Sequence, residues 1–301
     1  MIYVSSGHER GVGLEIFFKS YLLLSKDFQK EFCLAIDQTT YLNSLNDLKL
    51  NPANFKNLNL HFTNDLNTPQ STSSLLWCLN KIQSNDILIT LPTSKDQLIF
   101  ESQNKAGYTE FFRSYYQSQN ISMIFKSFTE NVLLISDHIP LKDVSAYITQ
   151  NKIFEKVKVT VDGFNKYFSP IDEIVLAGIN PHAGENGILG PEEVALKNVP
   201  LEIFSKLGIK CSHFLSGDTL HFYKNESISQ LFIYMYHDQA LSKFKAQNGL
   251  VGLNVTFGLP FLRLSVDHGT AFELYGKNKA NLSGMIYLLS TALEVNKNVN
   301  K

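Results

Sequence analysis

The chain has 301 residues, 44% hydrophobic and 18% charged, which is enough apolar material for a sizeable core in one large domain or two smaller ones. A formal charge of -1 supplies no overall field for nucleic acid or an anionic membrane, so neither is an expected partner and any bound anion needs locally placed cations. The opening segment lacks the layout of a secretory signal, no apolar run approaches the roughly 20 residues that cross a bilayer, and three cysteines without CxxC spacing argue against a disulfide framework or a cysteine zinc site. A cytoplasmic protein with small buried thiols is the expectation.

In chain order, IYVSS reads as a strand that meets the turn Gly7-x-x-x-Gly11-x-Gly13 and then a helix in LEIFFKSYLLL, whose apolar positions recur at helical spacing. The glycine spacing is not the GxGxxG of a dinucleotide fingerprint, so it is read as a turn before a helix. From Tyr41 to Ser74 the sequence is rich in Asn, Ser and Thr and weakly periodic, which predicts short strands and loops contributing little core. DILITLP, NVLLIS, EIVLAGI and LFIYMY predict buried strands with helices between them, the alternation of an α/β fold. Gly190-Pro191-Glu192-Glu193 carries the proline and acidic residues of a first helical turn. The run from Gly249 to Gly276 is dense in glycine and β-branched residues, and Pro260 divides it into two extended pieces before a turn at Gly269. A strand-loop-strand wall bordering a cleft is expected there.

Three of the predicted strands end beside a histidine: His138 in VLLISDHIPL, His182 in IVLAGINPHAGENG and His237 in LFIYMYHDQA. Parallel α/β sheets gather ligands at the carboxyl ends of their strands, and neutral imidazole suits Zn2+, Co2+ or similar ions. Three protein ligands leave coordination positions open for substrate, as catalysis requires. The pattern predicts a catalytic metal site, against the alternative that each histidine is a hydrogen-bonded structural residue. Asn180, Glu185, Asp238 and Gln239 flank the histidines and are polar groups able to orient ligands.

The segments Gly178-Ile-Asn-Pro-His-Ala-Gly-Glu185, Gly190 with Glu192-Glu193, Met235-Tyr-His-Asp-Gln239, Gly258-Leu-Pro-Phe261 and Ser265-Val-Asp-His-Gly-Thr-Ala271 closely resemble the 4-hydroxythreonine-4-phosphate dehydrogenase family of pyridoxal phosphate biosynthesis. The similarity is strongest from about Asp137 to Leu289 and traceable upstream through Gly7 to Glu15, Thr90 to Lys95 and Gly107 to Phe111.

The resemblance implies an α/β/α fold like that of isocitrate and isopropylmalate dehydrogenases, not a Rossmann fold, with two subdomains and a cleft between them. The expected division is residues 1–106 with 284–301 as a first subdomain, and 107–283 as a metal, substrate and dimerisation subdomain. It also implies His138, His182 and His237 as ligands of a divalent metal (Zn, Mg or Co), and NAD or NADP contacts from Asp267, His268, Gly269 and Thr270. For those four residues a glycine turn closing a strand is the competing reading. Substrate contacts carry over onto Tyr108, Thr109, Lys245, Asn254 and Arg263, where Lys and Arg can hold the phosphate and carboxylate of a phosphorylated amino acid. An internal salt bridge to Asp267 or Glu273 is the alternative for Arg263, and a solvated charge beside Lys243 the alternative for Lys245. Asp218 is the catalytic candidate, orienting the substrate hydroxyl or accepting its proton, with a turn cap as the alternative. The implied protein is a homodimer with an active site shared across the interface. The implied reaction oxidises 4-phosphohydroxy-L-threonine at C3 and decarboxylates the product to 3-amino-2-oxopropyl phosphate.

This sequence departs from the family pattern in ways that bear on the substrate. The amino-terminal motif, commonly Gly-Asp-Pro-x-Gly-x-Gly-x-Glu, reads Gly7-His8-Glu9-Arg10-Gly11-Val12-Gly13-Leu14-Glu15, and Gly-His-Thr-Glu has become Gly107-Tyr108-Thr109-Glu110. Ile188 stands where His is common, and the polar stretch after Lys95 is shortened. A same-fold dehydrogenase or decarboxylase for a different phosphorylated hydroxy acid, and a non-catalytic metal- or phosphate-binding relative, are the competing expectations.

Overall fold

The computed structural model describes residues 1–65 and 67–300. Its strands are β1 (Ile2–Ser5), β2 (Phe32–Asp37), β3 (Asn59–Thr63), β4 (Ile87–Thr90), β5 (Ile99–Phe100), β6 (Gln103–Asn104), β7 (Ser122–Lys126), β8 (Asn131–Leu134), β9 (Glu173–Ala177), β10 (Lys210–Leu215), β11 (Gln230–Tyr234), β12 (Leu253–Phe257) and β13 (Leu262–Val266). Its helices are α1 (Val12–Tyr21), α2 (Lys26–Gln29), α3 (Gln38–Asp47), α4 (Gln70–Lys81), α5 (Tyr108–Tyr115), α6 (Val144–Tyr147), α7 (Gln150–Tyr167), α8 (Glu192–Ala195), α9 (Val199–Leu207), α10 (His237–Asn248) and α11 (Ser283–Val299). The chain divides into two compact units, Met1–Gln119 with Leu253–Lys301, and Asn120–Gly252.

In the first unit the strand order is β12-β13-β4-β1-β2-β3. All neighbours are parallel except β12 and β13, the two extended pieces expected on either side of Pro260, which pair antiparallel. Pairing of β13 with β4 draws residues 253–283 into this unit, whereas the resemblance had suggested a division at residue 284. Helix α4 packs on β1 and β2, and α11 on β1 and β13. The aromatic residues Phe17, Phe18, Tyr21, Phe32 and Phe55 are buried together, with Tyr21 stacked on Phe55 at 5.9 Å. Gly7 has φ +64, and a Cβ there would come within 2.5 Å of the Pro92 carbonyl oxygen, so the turn before α1 requires glycine.

Residues 41–65 and 67–74 hold more helix and more buried side chains than their composition suggested. Asp37 caps α3 by accepting the Thr40 N–H at 2.8 Å, which places Tyr41 and Leu45 one turn apart on a buried face. In α4 the hydroxyls that looked loop-like are internal and satisfied: Ser74 Oγ donates to Ala35 O at 2.9 Å and Thr72 Oγ1 to Gln97 O at 2.7 Å. Buried hydroxyls with partners cost little, so a polar composition did not signal exposure.

In the second unit the order is β10-β9-β11-β8-β7, parallel from β10 to β8 with β7 antiparallel at the end. Val132, Leu134, Val175, Ala177, Phe232 and Tyr234 form its core together with Ala240, Leu241 and Phe244 of α10. These near-continuous apolar runs are what strands of a covered parallel sheet require. Strands β9, β11 and β8 are adjacent, so their carboxyl ends at Ala177, Tyr234 and Leu134 lie along one edge.

Candidate active site

That edge delivers the three histidines of the second unit. His138 follows β8, His182 follows β9, and His237 is the first residue of α10, just after β11. The His138 and His237 rings lie with centroids 5.9 Å apart. His237 Nδ1 is 2.6 Å from Asp238 Oδ1, and His182 Nδ1 is 2.6 Å from Glu185 Oε1, arrangements that fix each ring through its Nδ1. The bonded Glu185 carboxylate raises the pKa of His182, and Asp218 adds to the effect. His138 and His237 line a cavity of about 300 Å3 with Asp137 and Tyr236. His182 lines a cavity of about 380 Å3 with Ser216, Asp218, Gln239 and the same Tyr236. Among the described residues no three His, Cys, Asp or Glu side chains stand close enough together to hold one ion, so a single chain pairs His138 with His237 and keeps His182 in the neighbouring cavity with Asp218.

The loop carrying His182 has an unusual backbone. His182, Ala183, Gly184, Glu185 and Asn186 all have positive φ, between 43° and 75°, a left-handed turn that costs each non-glycine residue about 1–2 kcal/mol. The buried carboxylate of Glu193 holds it by accepting Ile179 N–H at 2.7 Å, Asn180 N–H at 2.8 Å and Asn180 Nδ2 at 3.0 Å. Glycine is required at 184, where a Cβ would come within 2.6 Å of Glu193 Oε2. Gln239, expected beside a metal ligand, instead joins two strand ends: it accepts Met235 N–H and donates to Gly178 O, each at 2.7 Å. Asp218 accepts the Ser216 hydroxyl at 2.5 Å, which holds its carboxyl below the usual range and keeps it ionised near neutral pH. Lys245 lies in the last turn of α10, eight residues from His237 and so about 12 Å along the helix.

The first unit supplies a cationic cradle. Arg263 on β13 is only 3% exposed, and its acceptors are all neutral. Nε donates to Thr90 Oγ1 at 3.0 Å and Nη2 to the same oxygen at 2.6 Å, while Nη1 donates to Asn254 Oδ1 at 2.9 Å and Thr256 Oγ1 at 3.3 Å. Burial pulls its pKa down to about 10, which leaves it charged at neutral pH. The alternative of an internal salt bridge to Asp267 or Glu273 is not what the structure shows. Tyr108, the first residue of α5, lays its ring 5.1 Å from Arg263 Cζ and donates its hydroxyl to Leu91 O at 2.8 Å. Thr109 is buried beside it in α5. After β13, His268 Nδ1 lies 3.0 Å from its neighbour Gly269 O, and Thr270 O accepts Val12 N–H at 2.8 Å, which ties the Asp267–Thr270 turn to the start of α1. Thr90, Thr256, Asp137 and Tyr236 were not singled out by the sequence. Thr90 ends a predicted strand next to a polar segment, the sole signal that could have drawn attention to it.

The family profile described as "Pyridoxal phosphate biosynthetic protein PdxA" matches residues 37–292. The chain belongs to this family. A relative from Sulfurihydrogenibium sp. (strain YO3AOP1), named 4-hydroxythreonine-4-phosphate dehydrogenase, is 36% identical over 69% of this chain and 64% of its own length. The match therefore spans just under two thirds of that relative, whereas one of the same name from Aquifex aeolicus (strain VF5) is 32% identical over 96% of both chains. The crystal structure of 4-hydroxythreonine-4-phosphate dehydrogenase from Klebsiella pneumoniae shares the fold with a TM-score of 0.77 at 24% identity, covering 98% of this chain and 99% of that one. Isocitrate dehydrogenase from Methylococcus capsulatus shares it more distantly, with a TM-score of 0.54 at 10% identity over 99% of this chain and 86% of that one. The α/β fold of the isocitrate dehydrogenase type expected from the motifs is thus the fold of this chain. Among the described residues no helix is long and apolar enough to cross a membrane.

Proposed function

We propose that the chain is a metal-dependent, NAD(P)-linked dehydrogenase that oxidises 4-phosphohydroxy-L-threonine at C3, after which the β-keto acid loses carbon dioxide to give 3-amino-2-oxopropyl phosphate. The observation that carries the reading is the strand order β9-β11-β8, which sends His182, His237 and His138 to one edge of a parallel sheet in a member of this family. Buried Arg263, charged and without a carboxylate partner among the described residues, supports an anionic substrate.

In this reading His138, His182 and His237 hold a divalent ion (Zn, Mg or Co). The donor chemistry fits such an ion: two rings are 5.9 Å apart, and two Nδ1 atoms are engaged by carboxylates. Once bound, the ion would supply Lewis acidity toward the substrate hydroxyl, and a nicotinamide held near Asp267, His268, Gly269 and Thr270 would supply the hydride acceptor. Arg263 and Asn254 of the first unit and Lys245 of the second are the candidates for holding phosphate and carboxylate oxygens, Thr109 is a further candidate of the first unit, and Asp267, His268, Gly269 and Thr270 are the candidates for contact with the dinucleotide. Asp218, kept ionised by Ser216, is suited to orienting the hydroxyl and to stabilising positive charge near His182. The hydroxyl proton would pass to a base, for which Asp218 is the candidate, the C3 hydride to the oxidised nicotinamide, and the electron pair of the breaking C2–carboxylate bond into the new C3 ketone, giving an enolate that takes up a proton as carbon dioxide leaves.

The large apolar residues Leu141, Ile188, Leu189 and Val194 are exposed around the histidine loops. A second copy of the chain is the occupant that suits this face, because cover there would complete a site whose third histidine stands apart in one chain. Sedimentation of the purified protein at rising concentration tests the homodimer. A second reading, a different phosphorylated hydroxy acid as substrate, is favoured by Tyr108, whose hydroxyl is already given to Leu91 O. A panel of such acids assayed by NAD(P)H absorbance separates the two readings. Absence of hydride transfer on every acid, with metal bound, would instead favour a non-catalytic metal-binding protein.

A further inference from the structure

We propose that Tyr108 is a positioning and specificity-determining residue: its ring, rather than its hydroxyl, holds the Arg263 guanidinium so that a single N–H is turned toward an oxyanion of the substrate. The inference rests on the functional reading above. A guanidinium has five N–H donors. Arg263 gives its Nε–H and one Nη2–H to Thr90 and its two Nη1–H groups to Asn254 and Thr256, which leaves one Nη2–H without an acceptor among the described residues. The site is therefore built for one charge-assisted hydrogen bond to a phosphate or carboxylate oxygen, not for a two-pronged grip.

The ring of Tyr108 stands where a buried cation would otherwise need a carboxylate. Its centroid is 5.1 Å from Arg263 Cζ, within the range where the negative face of an aromatic ring attracts a guanidinium. The phenol donates to Leu91 O at 2.8 Å, and that bond pins the ring in place while removing the one donor that Tyr108 could offer a ligand. Burial raises the phenol's pKa, so no phenolate competes for the guanidinium. A carboxylate in the same position would have neutralised the cation and weakened the site for anions. An aromatic face steadies the charge and leaves it available.

The test is titration calorimetry of Y108L, Y108F and R263M with 4-phosphohydroxy-L-threonine and, separately, with NAD and NADP. Y108L should weaken the phosphorylated ligand about tenfold while leaving the dinucleotide within about twofold, and Y108F should recover to within about threefold of wild type because the ring is restored. Equal weakening of both ligands by Y108L, or a loss in Y108F as large as that in Y108L, overturns the role of the ring. Should Y108L fail to fold, Y108F decides alone: weakening beyond about tenfold assigns the work to the hydroxyl. Wild-type affinity in R263M would overturn the anion site itself, whereas weak R263M beside unaffected Y108L would overturn only the part given to Tyr108.

Discussion

Replacing Arg263 by Met separates a ligand-binding cation from a structural one. A structural Arg in a buried ion pair leaves an uncompensated carboxylate when removed, at a cost of about 3–5 kcal/mol. Here the partners are Thr90 Oγ1, Asn254 Oδ1 and Thr256 Oγ1, all neutral. Their lost bonds cost about 1–3 kcal/mol for each acceptor that finds no new partner. Against this stands the relief of removing a desolvated charge from a 3% exposed position, itself several kcal/mol. The net change in stability should lie within about 2 kcal/mol, a melting shift below about 8 °C. Affinity for the phosphorylated substrate should fall roughly 10- to 100-fold, the loss of one charge-assisted hydrogen bond. Scanning calorimetry of the ligand-free variant and titration with substrate measure both quantities. A destabilisation of about 3–5 kcal/mol with affinity intact would refute the assignment and return Arg263 to the framework.

His182→Ala and His237→Ala should each abolish turnover and lower metal content while leaving the melting transition near wild type, since both side chains sit on exposed loop or helix-start positions; full metal content and full rate in either purified variant would sink the ligand assignment. The raised pKa of His182 sets a pH dependence with two opposite parts. The imidazolium–Glu185 pair stabilises the loop below the ordinary value of 6.5 and is lost as pH rises through the raised one, while metal binding needs the neutral ring and so strengthens over that same rise. Glu185→Gln should move the midpoint of metal uptake to lower pH, and an unchanged midpoint would disprove the coupling. The thiols should be inert: Cys78 is buried with its pKa pushed well up, and burial pushes half-buried Cys211 up to about 12. At about pH 8 alkylation of Cys211 in the native protein should be roughly a thousandfold slower than in urea, and rapid native labelling would contradict its placement.

The histidine edge was legible because an apolar run that stops at a polar loop marks the end of a buried strand, and three such runs each reached a histidine within a few residues. What the runs could not say was their order. Adjacency of β9, β11 and β8 follows from the sheet, and it brings three separate strand ends to one edge. The partners of Arg263 were hidden for the same reason: Thr90 is 173 residues away and meets it through the pairing of β13 with β4. The region 41–74 misled because composition was read as exposure, although Ser74 and Thr72 bury their hydroxyls against carbonyls. At Tyr108 the residue type was visible but its direction was not. Tyr108, expected as a substrate contact, donates its hydroxyl to Leu91 O and presents its ring face to Arg263.

The same logic explains why the His182 loop can afford its backbone. Four non-glycine residues in left-handed geometry amount to roughly 4–8 kcal/mol of local cost, more than half the net stability of an ordinary domain. The Glu193 carboxylate accepts three hydrogen bonds from Ile179 and Asn180 at the entry to the loop, each worth about 1.5–3 kcal/mol, so the loop's cost and its clamp are of similar size. Gln239 fastens the strand ends from which the loop springs, and both clamps act on backbone before His182 is reached. A loop whose only task was to connect β9 to α8 would take a cheaper path through the right-handed region. The strained segment sets the His182 ring, held by Glu185, at the cavity that Asp218 also lines, which is the position the proposed ligand role requires.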